Sequence, residues 1–530
     1  MKGLFKKVLV LTLILSVLLS VAACGGATNN LSKTNNGNQE DSSNAANSKN
    51  DSSDVDSTST EKVTFHIYKN GGFPDYPADG GEGKQDVLNA LAAYGLPNVD
   101  YKVTAIGGDE YYDKLNILAV SGSLPDYMNI DMVTMTNFSD QGLIIPLEDH
   151  LENMPAAKDR MRQVDLDAWT YNGHLYAFPV AYLEGAINGP NTTGLIVRAD
   201  WLEKLDIDIP ETIDEFYEML KAFKEQDPDG NGQDDTFGYI GRDTTLFEDV
   251  FGAFGIQPTF WMETEEGLRL GSTLPATKEA LAVLQQWYAE GLIDPDIFTN
   301  DQSLQDQKLA NSKGGVYEGS GFSASVSNPE YAALLNVVPT AKLKGIPAFK
   351  GPKGESGRQE APPGYGNSHA ISANCQDVDL LVKFLNWCAD DGENGGMYLC
   401  SVGVEGKHFE LSEDGTKINQ FVPYNEIYAY GLGNPIRFQQ VVDRRWMEDS
   451  AVECFEAFDG MYRENKFWGT TPSMLDYPDT CEELFREYLA KIVMGSLPVD
   501  AWDDYVKDFY AMGGDKIEQE VNEAYQALNK

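Results

Sequence analysis

Between Lys62 and Ile130 strand-like and helix-like stretches alternate, and no other feature limits the possible fold as much. Lys62-Val-Thr-Phe-His-Ile-Tyr68 alternates in β-forming residues and reads as an opening strand. Residues 86–94 read as a short helix and residues 101–106 as a second strand. Residues 109–120 follow as a helix with Leu115, Leu118 and Ala119 on one face. The loop Ser121-Gly-Ser-Leu-Pro-Asp126 leads into an apolar strand at residues 127–130. Such alternation predicts a parallel sheet of βαβ units. In these sheets ligands bind at the carboxyl ends of strands, here the loops after Tyr68 and after Met128.

The pattern continues downstream. Gly173-His-Leu-Tyr-Ala-Phe-Pro-Val180 reads as a hairpin arm and strand, residues 194–198 as another strand, and residues 200–204 as a short helix. A longer helix starts at Pro210-Glu-Thr-Ile-Asp-Glu215, where Thr212 and Glu215 form a capping box. Ile213, Phe216, Leu220 and Phe223 give that helix an apolar face. Residues 277–290 are helical, Gly314-Gly-Val-Tyr-Glu-Gly-Ser320 resembles a strand end and loop, residues 368–372 a strand and residues 377–390 a helix. Two helices close the chain, at residues 501–512 and 515–528, parted by Gly513-Gly514.

The helix begun at Pro210 delivers Asp227-Pro-Asp-Gly-Asn-Gly-Gln-Asp-Asp-Thr-Phe-Gly238. Asp227, Asp229, Asn231 and Asp235 occupy alternate positions, with Gly230 and Gly232 allowing the backbone to fold back. Several converging oxygens suit a hard cation, and the spacing matches the first six positions of an EF-hand loop. The expected calcium ligands are Asp227, Asp229, Asn231, Gln233 and Asp235. Position twelve is Gly238, where an EF-hand supplies a bidentate Glu, and a strand follows instead of a second helix. The site would therefore be structural. The same residue types also make ordinary solvated turns.

Lys2, Lys6 and Lys7 precede an apolar run from Val8 to Val21, and Ala22-Ala23-Cys24 follows. This is a secretory signal, too short for a membrane span, and Cys24 stands where a bacterial lipobox places its acylated thiol. Residues 1–23 form the signal peptide, and residues 24–60 a tether too polar to bury a core. As a flexible coil it reaches ~35 Å. The 530 residues carry a net charge of −43, which argues against nucleic acid. Cys375, Cys388, Cys400, Cys454 and Cys481 lack zinc spacing and read mostly as buried thiols.

The runs "GHLYAFPVAY", "GLIVRADWLEKLDIDIPETIDEFYEMLKAFKE" and "DPDGNGQDDTFGYIG" resemble the extracellular solute-binding proteins of bacterial sugar ABC transporters, notably their large calcium-loop lipoproteins. "GSLPDYMNI", "YLCSVGVEGKHFEL" and "KIVMGSLPVDAWDDYVKDFYAMGGDKI" extend the likeness from about residue 60 onward. Where that family often has Asp-Glu at the ninth and tenth loop positions, this chain has Asp235-Thr236.

The resemblance implies a two-lobed α/β periplasmic-binding-protein-like fold of type II with a helical C-terminus. Lobe 1 would comprise residues 61–178 plus about 368–425, and lobe 2 residues 179–367 plus about 426–530. A hinge would close the lobes on the ligand, and a membrane permease would read that closure. Position along the fold puts cleft residues at Tyr68, Asn70, Asn129, Asp131, Tyr182, Glu184, Glu318, Ser320 and Phe322. Trp261 and Trp446 suit either a sugar platform or structure, whereas Trp287, Trp387 and Trp502 read as core. Arg444 and Arg445 could meet an acidic sugar or pair with neighbouring acids.

The expected protein is a monomeric, lipid-anchored receptor passing an oligosaccharide to an ABC permease, with no catalytic cofactor. The alternatives are a calcium-stabilised glycoside hydrolase, a peptide receptor of the same fold and a calcium-dependent adhesin.

Overall fold

Two four-stranded sheets organise the polypeptide. The strands in chain order are β1 (Val63–Asn70), β2 (Val99–Ile106), β3 (Tyr127–Asn129), β4 (Thr193–Arg198) and β5 (Phe237–Tyr239). There follow β6 (Trp261–Thr264), β7 (Gly267–Leu270), β8 (Gly314–Ser320), β9 (Leu343–Ile346) and β10 (His369–Ile371). The computed structural model describes residues 62–530 apart from 72, 74, 108–109, 180–192, 327, 361–367, 434, 439–444, 446, 460–461 and 529–530. The signal segment, the tether with Cys24, and Tyr182, Glu184, Arg444 and Trp446 lie outside the described residues.

The first sheet has the order β10-β3-β1-β2. Strand β1 runs parallel to both β2 and β3, as alternation predicts. Helices α1 (Gly81–Tyr94) and α2 (Glu110–Val120) make the crossovers, and α3 (Met132–Asp140) leaves the end of β3. Strand β10 is antiparallel to β3, with His369 opposite Asn129. It returns from the other half of the chain at the carboxyl edge, so it can only run down the sheet. Phe178 and His369 exchange backbone hydrogen bonds of 2.8 and 3.0 Å there.

The second sheet has the order β9-β4-β8-β5 and is mixed, a departure from the all-parallel expectation. Strand β8 is antiparallel to β4 and parallel to β5. Residues 314–320 thus form a full strand in the sheet interior instead of a strand end and loop. Glycines disguise it in the sequence, but packing demands them. A Cβ on Gly315 would stand 2.1 Å from the Phe223 ring.

Phe223 belongs to α4 (Ile213–Glu225), which starts with the expected capping box of Thr212 and Glu215. Other helices of this half include α5 (Glu248–Ala253), α6 (Pro275–Ala289), α8 (Asp449–Phe458) and α9 (Trp502–Phe509). Helix α7 (Val378–Ala389) packs in the first core, and α10 (Asp515–Leu528) ends the chain. Gly513 turns the backbone between α9 and α10 at φ 98°, a conformation that favours glycine.

Each sheet has its own core, and each core draws on two separated stretches of chain. One joins Phe65–Phe178 side chains to those from Ala370 to Phe438. The other joins Leu195–Phe349 side chains to those from Phe467 to Val521. Trp287, Trp387 and Trp502 are core residues. The five described cysteines are free thiols.

Candidate functional site

A cavity of about 660 Å³ opens between a segment whose Val422 and Tyr424 pack on the first core and a segment whose Met447 belongs to a small separate cluster with Ala451 and Phe455. Ile418–Tyr424 forms one wall, and Ser325, Val326 and Met447–Asp449 form the other. Lys417 and Arg445 stand beside Tyr424, Phe421, Asn419 and Gln420 in its lining. Mixed aromatic and polar surface of this volume suits a small ligand. Arg445 lies against Tyr398, accepting ring contact at 5.2 Å and donating a hydrogen bond to its hydroxyl.

The carboxyl ends of β1 and β3 bring Tyr68, Asn70, Asn129 and Asp131 together. Asn129 is buried, and its Oδ1 accepts the Asn70 N–H at 2.9 Å. Tyr111 donates its hydroxyl hydrogen to the carbonyls of Asn129 and Tyr68, at 2.8 and 3.1 Å. The Tyr68 ring packs on Tyr111 with centroids 5.0 Å apart. Asp131 caps α3, its Oδ1 accepting from Thr134 N–H at 2.6 Å. These groups hold the loop ends in place, which is how a rigid site is built.

Glu318, Ser320 and Phe322 come together at the end of β8. Ser320 Oγ accepts the Phe322 N–H at 3.3 Å, and Phe322 packs edge-on to Phe455 at 5.0 Å. Glu318 accepts the Tyr239 hydroxyl at 3.1 Å. Burial, then the Asp249 carboxylate, push its carboxyl up to about 7. Glu248 is pushed to about 8 by burial and then by Glu318. Asp249 itself is fully engaged, accepting from Arg358 Nη2 at 2.7 Å with both side chains buried. Trp261 sits apart from both groups. It is buried in the second core, with its backbone tied to Asn465 and Lys466.

Sequence reasoning missed three features. Trp468, half-buried and edge-on to Phe260 at 5.2 Å, offers a hydrogen bond to Glu360. Burial and Glu464 raise the Glu360 carboxyl, while Lys466 and Arg162 oppose that rise. The Glu248–Asp249–Glu318 group was missed because its members lie on different elements. Lys69, His369 and Arg437 form the third feature, and only the Lys in the "HIYKN" strand hinted at it.

In the Asp227–Gly238 loop, Asn231 Nδ2 donates to Asp229 Oδ2 at 2.7 Å and to Asp235 Oδ1 at 3.1 Å. The Asp227 carboxylate accepts the N–H groups of Asn231 and Gly232 at 3.0 and 3.1 Å. Gln233 donates its N–H to Asn231 Oδ1 at 2.7 Å. Burial raises the Asp229 carboxyl, and Asp227 and Asp235 add to the rise. Lys313 pairs with Asp235, and Lys224 with Asp234 at 2.6 Å. Among the described residues no group of three or more His, Cys, Asp or Glu is gathered tightly enough to hold a metal ion. Asn231 bridges Asp229 and Asp235, and Lys313 occupies Asp235.

A family model described as bacterial extracellular solute-binding protein matches residues 78–395, more than half the chain. The chain belongs to that family, and its fold is the two-lobed α/β periplasmic-binding-protein type with C-terminal helices. It is 23% identical over 448 residues to the polygalacturonan/rhamnogalacturonan-binding protein YtcQ of Bacillus subtilis (strain 168), covering 81% of this chain and 86% of that one. The structure of alginate-binding protein AlgQ2 without calcium ion superposes with a TM-score of 0.63 at 22% identity, covering 88% of this chain and 98% of the other. An EF-hand mutant of the S. pneumoniae substrate-binding protein FusA, in complex with fructo-nystose, gives 0.62 at 21% identity, covering 88% and 100%.

Proposed function

We propose that this chain is a lipid-anchored extracellular receptor that takes an oligosaccharide into the cleft between its two halves and hands it to an ABC import permease. The supporting observation is the cavity between the Ile418–Tyr424 segment and the Met447–Asp449 segment, walled by aromatic and amide side chains, in a chain of the solute-binding family. Aromatic faces suit the CH surfaces of a sugar ring, and fixed amides suit its hydroxyls. Two of the similar proteins are described by their binding of acidic polysaccharides, polygalacturonan and alginate. Cys24 would carry the lipid, and the polar tether would give the body reach from the membrane. Tyr68, Asn70, Asn129, Asp131, Glu318, Ser320 and Phe322 would frame the cleft from the two sheets, joined by Tyr182 and Glu184.

A structural calcium ion belongs to this reading. Asp227, Asp229 and Asp235 crowd like charges around Asn231, and a cation would relieve that repulsion. The ion would tie the end of α4 to the start of β5 and take no part in ligand chemistry.

One observation favours a second reading. Glu248 and Glu318 influence each other and have carboxyls raised toward neutrality, a condition that suits a general acid beside a base in a glycoside hydrolase. A thermal-shift and turnover screen against a glycan panel separates the two. A receptor gains melting temperature with its ligand, by RT ln(1 + [L]/Kd) in stability, and releases no new reducing ends. Release of product from any glycan that stabilises the protein would sink the receptor reading.

A further inference from the structure

Among the described residues the buried Arg198 and Arg358 and the half-buried Lys308 are each ion-paired. Arg198 bonds Asp200 at 2.7 Å, Arg358 bonds Asp249 at 2.7 Å, and Lys308 bonds Asp294 at 2.7 Å. The chain has 83 acidic and 40 basic side chains, so partners are plentiful. Lys69 and Arg437 nevertheless lie together, and neither makes an ion pair with any described acid.

Lys69 is the penultimate residue of β1, at the carboxyl edge of the first sheet, and only 4% of it is exposed. Its Nζ donates to the Arg437 carbonyl at 2.8 Å and stands 3.1 Å from His369 Nε2. The ammonium also lies 5.8 Å from the centre of the Tyr127 ring. Neither neighbour neutralises its charge. His369 is fully buried, and its Nδ1 has no hydrogen-bond partner. Burial, and then the Arg437 charge, lower the Lys69 ammonium to about 7.

Arg437 is half-buried, and its guanidinium makes no ion pair with any described residue. Burial lowers it also, and the opposing influences are two phenols, Tyr424 and Tyr428. Those rings lie 6.2 Å apart, and Phe73 packs edge-on to Tyr428 at 5.2 Å. Tyr424 is the link to the ligand space, because it also lines the cavity of about 660 Å³. A half-buried guanidinium with no anion among the described residues is unfavourable unless something else supplies the charge. Its planar fork matches a carboxylate, and the adjoining phenol rings offer the flat surface a pyranose needs.

We propose that Arg437, backed by Lys69 and flanked by Tyr424 and Tyr428, is an anion subsite for the carboxylate of a uronic acid residue, so that the ligand is an acidic oligosaccharide. This rests on the saccharide-receptor reading and narrows it. The overall charge of −43 does not oppose it, since a recessed cationic site can hold an anion that the surface would repel.

The test is calorimetric titration of the full-length chain in detergent with trimers of galacturonate, glucuronate and mannuronate, each beside its carboxyl-reduced neutral counterpart. At least one uronate trimer is expected to bind 100-fold more tightly than its neutral form. Arg437→Gln should remove that preference, weakening the uronate at least 30-fold while leaving the neutral sugar's affinity and the ligand-free melting temperature unchanged. Arg437→Lys, which keeps the charge but loses the fork, should recover part of it. Neutral trimers binding as well as acidic ones would overturn the subsite and leave the saccharide reading standing. Equal loss of both sugars in Arg437→Gln, or retention of full uronate affinity, would also overturn it, as would a sulfated trimer outbinding every uronate. Binding of no glycan at all would overturn both readings.

Discussion

Glu318 illustrates how a single side chain changes character on folding. In the sequence it is an acid in a glycine-rich run that reads as a strand end and loop. In the fold it shares a recess with Glu248 and the buried Asp249–Arg358 pair, and takes a hydrogen bond from Tyr239. Burial, with Asp249 next, raises its carboxyl to about 7, and burial, with Glu318 next, raises Glu248 to about 8. A carboxyl raised on folding binds its proton more tightly in the native state. The stability this contributes is complete below the ordinary value of 4.5 and is lost as pH climbs through 7 to 8. Glu318→Gln removes one titrating group and relieves the other. The parent should lose a few degrees of melting temperature between pH 5 and pH 8, and the variant distinctly less. Equal pH slopes in parent and variant would contradict the shared recess. Asn129 and Asp131 were legible as residues at a strand's carboxyl end. The Asn129 bond to Asn70 was not, because it depends on the register of β1 beside β3.

Among the elements, the passage from α4 through the acidic loop to β5 was the most readable. Its capping box, its apolar face and its strand all lie within a few residues of one another, and local chemistry suffices to specify them. The metal question is also local, and the loop answers it by experiment. Chelation with EDTA should lower the melting temperature of the full chain by several degrees, and Asp229→Ala should abolish the difference. An unchanged melting temperature on chelation in metal-free buffer would count against the ion. Strand β8 was the least readable element. Gly314, Gly315 and Gly319 weaken its β pattern, yet a side chain at Gly315 would collide with Phe223. Gly315 answers to a helix nearly a hundred residues away and Gly314 to Ile240, which no local pattern reveals. Gly194 in β4 is similar, since a Cβ there would stand 1.6 Å from Arg358 Nη1.

For the whole molecule, two cores assembled from interleaved stretches of chain carry the receptor reading, because a ligand held between them would be enclosed by their approach. Small-angle scattering should therefore record a smaller radius of gyration for the body once a saturating glycan is added. An unchanged radius with bound ligand would remove closure from the proposal. The sequence alone determined the strand–helix alternation, the capping box, the acidic loop and the family likeness. Each depends on residues near one another in the chain, or on their order along it. Tertiary structure alone decided the mixed second sheet, the antiparallel return of β10, the recess shared by Glu248 and Glu318, and the meeting of Lys69 with Arg437. These depend on contacts between residues tens to hundreds of positions apart. Their energies come from burial and charge in surroundings that exist only once both sheets have formed. That is also why a chain so acidic can hold a cationic recess at the edge of its first sheet.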